Sequence, residues 1–381
     1  MRTYEKQFNV EWLYPTTLKA RVSPFIRCPR TNFQVDRYCR GQAQYLSNFS
    51  ASGIISASLV IYICMNKYAP PTVPLEHSGG SVRGLCQDLD LSVADLKRLF
   101  DLTQQVKHSR QRYASALKGR YLSMLFEKPS LRTRMTFEIA IKQLGGDCVL
   151  QTGMIADREP LKDVARNLAR WTDAIVARTY SQATIDELAR WSGIPVVNAL
   201  SDLYHPCQAL ADIFTLKEHF GQLWGLKLAF VGDGNNVVHS LLLCCSRLGI
   251  SCSVATPGGY APKPEIVHQA KRLASETGAQ IEITTDPFAA VESANAVYTD
   301  VWASMGQESE VEQRQKLFAD YQVTENLLSS ADESAIFMHC MPAKRGLEVT
   351  DAVIESPQSA AFDQAENRLH VQKALLLMLL Q

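Results

Sequence analysis

The groups best suited to chemistry stand in a run of five residues, Ser-Leu-Arg-Thr-Arg at 130–134, with two guanidiniums and two hydroxyls. An apolar stretch at 121–126 predicts a buried strand before the run, and apolar side chains at helical spacing over 135–144 predict a helix after it. On such a strand-to-helix turn, Ser130 would be the N-cap, and free backbone N–H groups would converge with both guanidiniums. Arginine binds phosphate bidentately, so the run predicts a phosphate cradle; a capped helix with two surface arginines is the alternative.

A histidine and a glutamine stand where a later helix is predicted to begin. His205 comes just before Pro206, Gln208 follows one turn on, and an apolar stripe continues from there. His205 is either a structural helix cap or a donor to a carbonyl oxygen, in which case the Gln208 amide would accept from an amide N–H₂ group. Arg178 stands at the end of the predicted strand 174–177, where a parallel sheet binds ligands.

Two further predicted strands, 296–299 and 335–338, run directly into polar residues. Asp300 and Ser304 follow the first strand, and Cys340 follows the second. A carboxylate for an ammonium group, together with backbone N–H groups for a carboxyl group, could bind an amino acid at these strand tips. Alternatively, Cys340 is a small buried hydrophobe, which is the commoner fate of a free cysteine.

A Gly-x-Gly turn at 232–236 follows a predicted strand at 226–231 and opens another predicted helix. It is similar to the start of a dinucleotide fingerprint. However, Val237 occupies the place of the third glycine, and no ribose-binding acid ends the next strand, at 253–257. A nicotinamide-dependent oxidoreductase needs both features, so the sequence argues against that class.

These elements together predict the fold class, because strands and helices alternate from Asp88 onward. The predicted strands lie at 121–126, 148–151, 174–177, 195–198, 226–231, 253–257, 281–283, 296–299 and 335–338. An alternation of this kind predicts an α/β protein with parallel sheets flanked by helices, whose ligands bind at the carboxyl ends of the strands.

Composition excludes several classes of function. The chain has 381 residues, enough for two domains of ordinary size, and 39 basic residues balance 39 acidic ones. This balance argues against nucleic-acid binding and leaves phosphate recognition to a local pocket. The ten cysteines include no Cys-x-x-Cys pair and no histidine at metal-ligand spacing, so they predict free thiols in a reducing compartment and no metal site.

Residues 1–64 differ from the rest, with eight Lys or Arg residues against three acids. The apolar run at 54–65 is too short to span a bilayer comfortably, so no membrane segment is predicted. The stretch is either an organelle transit peptide or upstream of a translation start at Met65, and we favour the second interpretation. A transit peptide predicts that the protein is located in an organelle matrix, whereas a start at Met65 predicts that it is located in the cytoplasm.

Four motifs in a fixed order carry a family resemblance. Ser-Leu-Arg-Thr-Arg at 130–134, His-Pro-Cys-Gln at 205–208, Asp-x-x-x-Ser-Met-Gly at 300–306 and His-Cys-Met-Pro at 339–342 resemble those of ornithine carbamoyltransferases, within the aspartate/ornithine superfamily. The resemblance covers about Gly84 to the C-terminus. It implies two Rossmann-like domains, each a parallel sheet flanked by helices, which interdomain helices link.

The resemblance also implies a domain division. After an extension over 1–83, a carbamoyl-phosphate domain would cover 84–212 together with the last helix at 365–381, and an ornithine domain would cover 213–364. The catalytic unit would be a homotrimer with shared active sites, and neither metal nor organic cofactor would be needed. In the loop at 151–160, Arg158 is the candidate to reach the neighbouring subunit.

The family's site residues carry over by matching position. Carbamoyl phosphate would be bound by Ser130, Leu131, Arg132, Thr133, Arg178, His205, Gln208, Cys340, Met341 and Arg368, and ornithine by Asn236, Asp300, Ser304 and Met305. Within this set, the catalytic groups would be Arg132, Arg178, His205 and Cys340. Thr133 would join Arg178 and His205 on the carbonyl oxygen, and Cys340 would lie near the ornithine δ-amine.

The resemblance implies transfer of the carbamoyl group of carbamoyl phosphate to L-ornithine, which gives L-citrulline and phosphate. Three alternatives stay open. The acceptor could be putrescine, acetylornithine or aspartate; the chain could be a catalytically silent binding paralogue; or it could be a nicotinamide-dependent oxidoreductase. The sequence leaves open whether flux runs toward arginine synthesis or toward ornithine-linked arginine breakdown.

Overall fold

A computed structural model of the chain describes residues 83–303 and 308–381. The transit-peptide and Met65 interpretations concern residues outside this part of the chain. The predicted ornithine contacts Ser304 and Met305 lie outside it as well.

The first half of the described chain forms a four-stranded parallel sheet in the order β2-β1-β3-β4. Its strands are β1 (Tyr121–Phe126), β2 (Asp147–Thr152), β3 (Ala174–Arg178) and β4 (Val196–Leu200). Its helices are α1 (Val93–His108), α2 (Arg132–Gln143), α3 (Leu161–Trp171) and α4 (Gln182–Ser192). Every residue of β3 is buried, as expected for a central parallel strand that helices cover on both faces.

The second half forms a five-stranded parallel sheet in the order β7-β6-β5-β8-β9. Its strands are β5 (Lys227–Val231), β6 (Ser251–Ala255), β7 (Ile281–Thr284), β8 (Ala296–Thr299) and β9 (Ile336–His339). The remaining helices are α5 (Pro206–Phe220), α6 (Asn236–Arg247), α7 (Pro264–Thr277), α8 (Pro287–Val291), α9 (Val311–Leu317), α10 (Glu325–Leu328), α11 (Asp351–Ile354) and α12 (Ala361–Leu380). The predicted α/β class with two parallel sheets is confirmed, and most predicted strand ends lie within two residues of the observed ones.

Each sheet has one point where its strand order reverses. In the first sheet this point lies between β1 and β3, so the turn at 130–134 and Arg178 emerge side by side. In the second sheet it lies between β5 and β8, which brings the Gly-x-Gly turn beside Asp300. Open α/β sheets bind ligands at such points, and here each pair of neighbouring strands supplies predicted site residues.

Helices α5 and α12 connect the two halves. The C-terminal helix α12 packs against α5, α1 and α2, so the chain returns to its first half. One hydrophobic core contains Met124 of β1, Phe214 of α5, Phe230 of β5 and Leu375 of α12. Among the described residues, no helix has both the length and the apolar character needed to cross a bilayer.

The start of α2 differs from the prediction in a way that matters for anion binding. The helix begins at Arg132, its N-cap position is Leu131 in a helical conformation, and no side chain caps it. Ser130 is therefore not the N-cap, because the helix begins one residue later than a cap at Ser130 would require. The first N–H groups of α2 have no helical partner and stay available to a ligand.

The second glycine of the Gly-x-Gly turn is required by the chain itself. The Gly234 N–H donates to the carbonyl oxygen of Tyr260 at 2.8 Å. A Cβ atom on Gly234 would lie 2.3 Å from the backbone nitrogen of Pro262 and 2.4 Å from the carbonyl carbon of Ala261. Close packing against the 260–262 backbone thus explains this glycine without a nucleotide.

We expect Gly234→Ala to lower the free energy of unfolding by about 3 kcal/mol, because two backbone segments would have to move apart. Gly258→Ala is the matched control, since nothing lies within 4 Å of a Cβ at that position. Urea unfolding followed by circular dichroism measures both changes. Equal stability of the two variants would show that the 260–262 loop does not pack on Gly234.

Candidate active site

One cavity of about 840 Å³ lies where the carboxyl ends of both sheets meet. The predicted site residues that line it are Ser130, Leu131, Arg132, Thr133, Arg178, His205, Asn236, Asp300, Cys340, Met341 and Arg368. Gln208 does not line the cavity; it is buried one helical turn beyond His205. The structure therefore brings together most of the set that the sequence proposed.

The Ser-Leu-Arg-Thr-Arg run contributes fewer guanidiniums to this cavity than predicted. Arg132 lines it, but Arg134 is exposed and does not. Residues two apart on a helix point to nearly opposite sides, so the two arginines of the run cannot share one ligand. Their expected convergence is wrong, and the additional guanidiniums come instead from Arg178 on β3 and Arg368 on α12.

The three guanidiniums form a concentrated positive site. Burial lowers the pKa of Arg132 and of Arg368, and burial together with repulsion from the other two lowers the pKa of Arg178 to about 10. All three stay charged at neutral pH. The Nε atoms of Arg178 and Arg368 are buried without a hydrogen-bond partner among the described residues. An anion between these groups would relieve the repulsion and satisfy the unpaired donors.

Thr133 is held by the distant C-terminal helix. Arg368 Nη2 donates to Thr133 Oγ1 at 2.5 Å, across 235 positions of sequence. Because this bond uses a lone pair of the hydroxyl oxygen, the hydroxyl hydrogen remains available to donate to a ligand. The cavity wall thus combines a charged donor with a neutral one at the same point.

The imidazole of His205 is held neutral and does not cap the helix. It occupies the N-cap position of α5, but its ring makes no capping hydrogen bond, and Nδ1 is buried without a partner. Its backbone N–H donates to Ser240 Oγ at 2.9 Å, and Ser240 Oγ donates to Asp88 Oδ2 at 2.7 Å. Burial, with Arg368 and Arg178 nearby, lowers the pKa of His205 well below its ordinary value.

His205 should therefore make the fold less stable in acid. Below its ordinary pKa of 6.5, the unfolded chain binds a proton on this side chain and the folded chain does not. Each pH unit in that range costs up to about 1.4 kcal/mol of unfolding free energy. We expect His205→Asn to reduce the decline in unfolding free energy between about pH 7 and pH 5, measured by urea titration.

The matched control is His268→Asn, because His268 is an exposed histidine on α7. This control should keep the wild-type pH dependence. If His205→Asn kept it too, the imidazole would not be held neutral in the folded chain.

The opposite wall is built around Asp300. Asn235 Nδ2 donates to Asp300 Oδ2 at 2.8 Å, and the Cys340 thiol donates to Asp300 Oδ1 at 3.0 Å. Asn235 also caps α6 by accepting from the N–H groups of Val237 and Val238. Sequence reasoning selected Asn236 from this turn and missed Asn235, although an asparagine directly before a helix is a capping signal.

Cys340 is a neutral thiol in this arrangement. Burial and the carboxylate of Asp300 raise its pKa well above the ordinary value for cysteine. The group therefore acts as a hydrogen-bond donor near Asp300 and not as a thiolate nucleophile. Its predicted place beside an ornithine amine stays compatible with this state.

The backbone after Cys340 is held by a buried pair. His339 Nε2 lies 3.3 Å from Glu348 Oε1, and the Met341 N–H donates to His339 Nδ1 at 2.8 Å. Met341 adopts a φ of 57°, which non-glycine residues seldom adopt outside functional turns. Asp300, His339 and Cys340 offer metal-ligand atoms within 4.8 Å of one another, but both ring nitrogens of His339 already have partners.

Gln208 also has one polar atom paired and one unpaired. Its Nε2 donates to Asp212 Oδ1 at 2.8 Å, whereas its Oε1 is buried without a partner among the described residues. Asp212 was missed by sequence reasoning. The available signal was an acidic residue within the apolar stripe of a predicted helix, because a charge there must have buried partners.

Two parallel sheets whose switch points share one arginine-rich cavity define an α/β enzyme that binds an anion next to a second, carboxylate-lined subsite. Family profiles agree with this class. Residues 83–218 match the carbamoyl-phosphate-binding domain of aspartate/ornithine carbamoyltransferases, and residues 224–379 match their Asp/Orn-binding domain.

Individual relatives point the same way. The ornithine carbamoyltransferase of Gloeobacter violaceus is 48% identical over 294 residues, which cover 76% of this chain and 93% of that protein. The solved structure of the Pyrococcus furiosus ornithine carbamoyltransferase has a TM-score of 0.77 at 43% identity, covering 79% of this chain and 97% of that one. The crystal structure of an acetylornithine transcarbamylase complexed with acetylcitrulline has a TM-score of 0.70 at 30% identity. The match covers 77% of this chain and 97% of that one. The chain belongs to the aspartate/ornithine carbamoyltransferase family, so the predicted resemblance is confirmed.

Proposed function

We propose that this protein transfers the carbamoyl group of carbamoyl phosphate to the δ-amine of L-ornithine and releases L-citrulline and phosphate. The observation that carries the proposal is a cavity lined by Asp300 and by three guanidiniums, those of the buried Arg178 and Arg368 and of the half-buried Arg132. The arginine side suits a dianion, and the carboxylate side suits the ammonium group of an amino acid.

In this proposal the phosphate binds at the start of α2. Ser130, Leu131, Arg132 and Thr133 supply two hydroxyls, backbone N–H groups and one guanidinium around the phosphate oxygens. The helix N-terminus adds its positive dipole end to the same position. The exposed Arg134 takes no part.

The carbonyl oxygen of the carbamoyl group is bound by Arg178, His205 and Thr133. Negative charge develops on this oxygen when the amine attacks, and donors already fixed in a buried wall stabilise it without reorganising. A neutral His205 donates through one N–H and adds no charge to a site that already holds three cations. Each well-placed donor contributes about 3 kcal/mol of transition-state stabilisation.

The carbamoyl amide lies near Gln208, Arg368 and the backbone of Cys340 and Met341. Asn236 and Asp300 bind the α-amino and carboxylate groups of ornithine, together with Ser304 and Met305. Cys340 lies near the δ-amine as a neutral thiol. No metal or organic cofactor takes part in this reaction scheme.

Attack requires a neutral δ-amine. The unperturbed pKa of such an amine is near that of lysine, about 10.4, so the amine must lose a proton before it attacks the carbamoyl carbon. Desolvation beside three guanidiniums favours the neutral form. A new C–N bond then forms, the C–O bond to phosphate breaks, and phosphate leaves with the electron pair. The departing phosphate takes the second proton of the attacking nitrogen, which leaves the neutral ureido group of citrulline.

The proposal includes a homotrimer with shared active sites, a carbamoyl-phosphate domain over 84–212 with 365–381, and an ornithine domain over 213–364. Large apolar side chains exposed near edge strand β2 support a subunit contact there; they include Val149, Met135 and Leu131. The nearby loop carries the exposed Arg158, which would enter the neighbouring site. The described cysteines are free thiols, which suits a reducing compartment, and we propose the cytoplasm. We also propose that the reaction serves arginine biosynthesis.

The reaction is tested by measuring citrulline formation by the purified chain from carbamoyl phosphate. Ornithine, putrescine, acetylornithine and aspartate are offered in parallel. Activity with ornithine alone is the expected result. Preference for another acceptor would replace the second substrate, and inactivity with all four would favour a silent binding paralogue.

The shared site is tested by mixing two inactive variants, Arg158→Ala and Arg178→Ala, under conditions that exchange subunits. A site built from two chains should recover activity in the mixture, because some sites then contain both wild-type arginines. Light scattering on the wild-type protein should give three times the mass of one chain. A monomeric mass with full activity would contradict the trimer.

A further inference from the structure

We infer that Asp212 is a positioning residue that fixes which atom of Gln208 meets the carbamoyl amide, and thereby selects carbamoyl phosphate over acyl phosphates. The inference rests on the proposed function, because it concerns the subsite for the carbamoyl N–H₂ group. Its basis is a buried hydrogen-bond chain from the end of β9 through α12 to α5.

The series of hydrogen bonds begins at a backbone N–H group, which can act only as a donor. The His339 N–H donates to Gln364 Oε1 at 2.9 Å. A backbone N–H can only donate, so the Gln364 side chain must present its oxygen to β9 and its Nε2 to the other side. That Nε2 donates to Asp212 Oδ1 at 2.6 Å and to the Tyr298 hydroxyl oxygen at 3.0 Å.

Asp212 acts as the acceptor for both glutamine side chains, so Gln208 must present its nitrogen to Asp212. Its Oδ1 accepts from Gln364 and from Gln208 Nε2, while its Oδ2 accepts from the Tyr298 hydroxyl at 3.1 Å. Burial raises the pKa of Asp212 to about 7, although the three donors oppose the rise. A proton on Oδ2 could turn toward Tyr298, so Oδ1 would accept both amides in either protonation state.

Gln208 is thereby left with a single orientation. Its nitrogen is bound to Asp212, so its Oε1 faces away and is buried without a partner among the described residues. Gln208, Asp212, Tyr298 and Gln364 are each at most 1% exposed, so bulk water does not reach the group. His205, one helical turn before Gln208, lines the cavity, so the inference assigns this unpaired acceptor to the N–H₂ group of the bound substrate.

Carbamoyl phosphate and acetyl phosphate differ at this point. Both have a phosphate group and a carbonyl oxygen, but carbamoyl phosphate presents an N–H₂ group where acetyl phosphate presents a methyl group. A site that is built to bond a substrate N–H rejects an analogue without it, because the buried acceptor then stays unpaired. Without Asp212, Gln208 could turn its amide, and this selection would weaken.

The test is titration of the whole protein with carbamoyl phosphate and with acetyl phosphate, for the wild type and for Asp212→Leu. Leucine is similar in shape to aspartate and removes both acceptor oxygens. We expect the preference for carbamoyl phosphate to fall about tenfold or more, with acetyl-phosphate affinity changed less than about threefold. Asp212→Asn should keep most of the preference, because its Oδ1 can still accept from both amides while its Nδ2 donates to the Tyr298 hydroxyl oxygen.

The matched control is Thr215→Val. Thr215 lies on the same helix, is buried, and accepts a hydrogen bond from Asn367 of α12 at 3.0 Å without touching Gln208. It should cost stability and leave the ratio of the two affinities unchanged. In a Gln208→Ala background the Asp212 substitution should no longer change the ratio, since Asp212 would have no amide to orient.

The outcomes separate this inference from the proposed function. If the wild type makes citrulline and prefers carbamoyl phosphate, but Asp212→Leu weakens both ligands equally, Asp212 is merely structural and the inference is overturned. If the leucine variant does not fold, an unchanged ratio in Asp212→Ala, which also removes both acceptor oxygens, decides the same way. A wild type that neither binds carbamoyl phosphate nor makes citrulline overturns the proposed function, and the inference with it.

Discussion

Arg132→Ala is expected to lower the affinity for carbamoyl phosphate at least 100-fold. Arg132 is the arginine of the Ser-Leu-Arg-Thr-Arg run that lines the cavity, at the uncapped start of α2. A charge-assisted hydrogen bond contributes about 1.5–3 kcal/mol, so loss of a bidentate pair removes about 3 kcal/mol or more. Calorimetric titration with carbamoyl phosphate in the absence of ornithine measures the change.

The chain supplies a control of the same residue type. Arg134 lies on the same helix two residues on, but its side chain is exposed outside the cavity. Arg134→Ala should leave carbamoyl-phosphate affinity within about twofold, because exposed charges at a distance are screened. Equal losses of carbamoyl-phosphate affinity in the two variants would mean that binding depends on the overall charge and not on Arg132. Unchanged affinity in Arg132→Ala would contradict the assignment of the phosphate cradle.

Asp300→Ala is expected to weaken ornithine binding about 100-fold while leaving the affinity for carbamoyl phosphate nearly unchanged. Asp300 is 7% exposed, so a charge pair between its carboxylate and a substrate ammonium would be poorly screened by solvent. Asp300→Asn removes the charge and keeps an oxygen that can accept from Cys340 or Asn235. The asparagine variant should therefore lose ornithine affinity with less disturbance of the wall.

Ornithine would react with bound carbamoyl phosphate during a titration. Ornithine binding is therefore measured on protein that is saturated with inorganic phosphate. Asp202→Asn is the matched control: Asp202 also lines the cavity but is exposed, and it accepts from the backbone N–H of Gln182. It should bind ornithine like the wild type. A large loss of carbamoyl-phosphate affinity in Asp300→Asn would contradict the separation of the two subsites.

Part of the candidate site could be predicted because its residues follow strands directly. Arg178, Asp300 and Cys340 stand at or just after the ends of predicted strands, and the parallel arrangement of those strands follows from the alternation of elements. Once strands are parallel, their carboxyl ends share one edge of the sheet. Local periodicity therefore placed Asp300 and Cys340 at one edge of the second sheet and Arg178 at the corresponding edge of the first. That the two edges meet was decided by the tertiary structure.

Two local predictions were wrong for reasons that the helix itself explains. The cap assigned to Ser130 required the helix to begin at Leu131, one residue before its observed start at Arg132, but element boundaries depend on tertiary contacts as well as on capping residues. The convergence of Arg132 and Arg134 ignored the rotation between residues two positions apart. That Arg132 and Arg134 point to different sides of a helix could have been recognised from the sequence once a helix was predicted there.

What the sequence by itself determined is the α/β class, the order of the strands along the chain and the residues that follow them, because these depend on hydrophobic periodicity and turn residues over short stretches. Only the tertiary structure decided that Arg368 reaches Thr133 across 235 positions and that Gln364 reaches Asp212 across 152. Such pairs depend on how α12 packs against α5 and α2, which no local pattern encodes. The polarity of Gln208, and the state of charge of His205 and Cys340, follow from burial that exists only after this packing has formed.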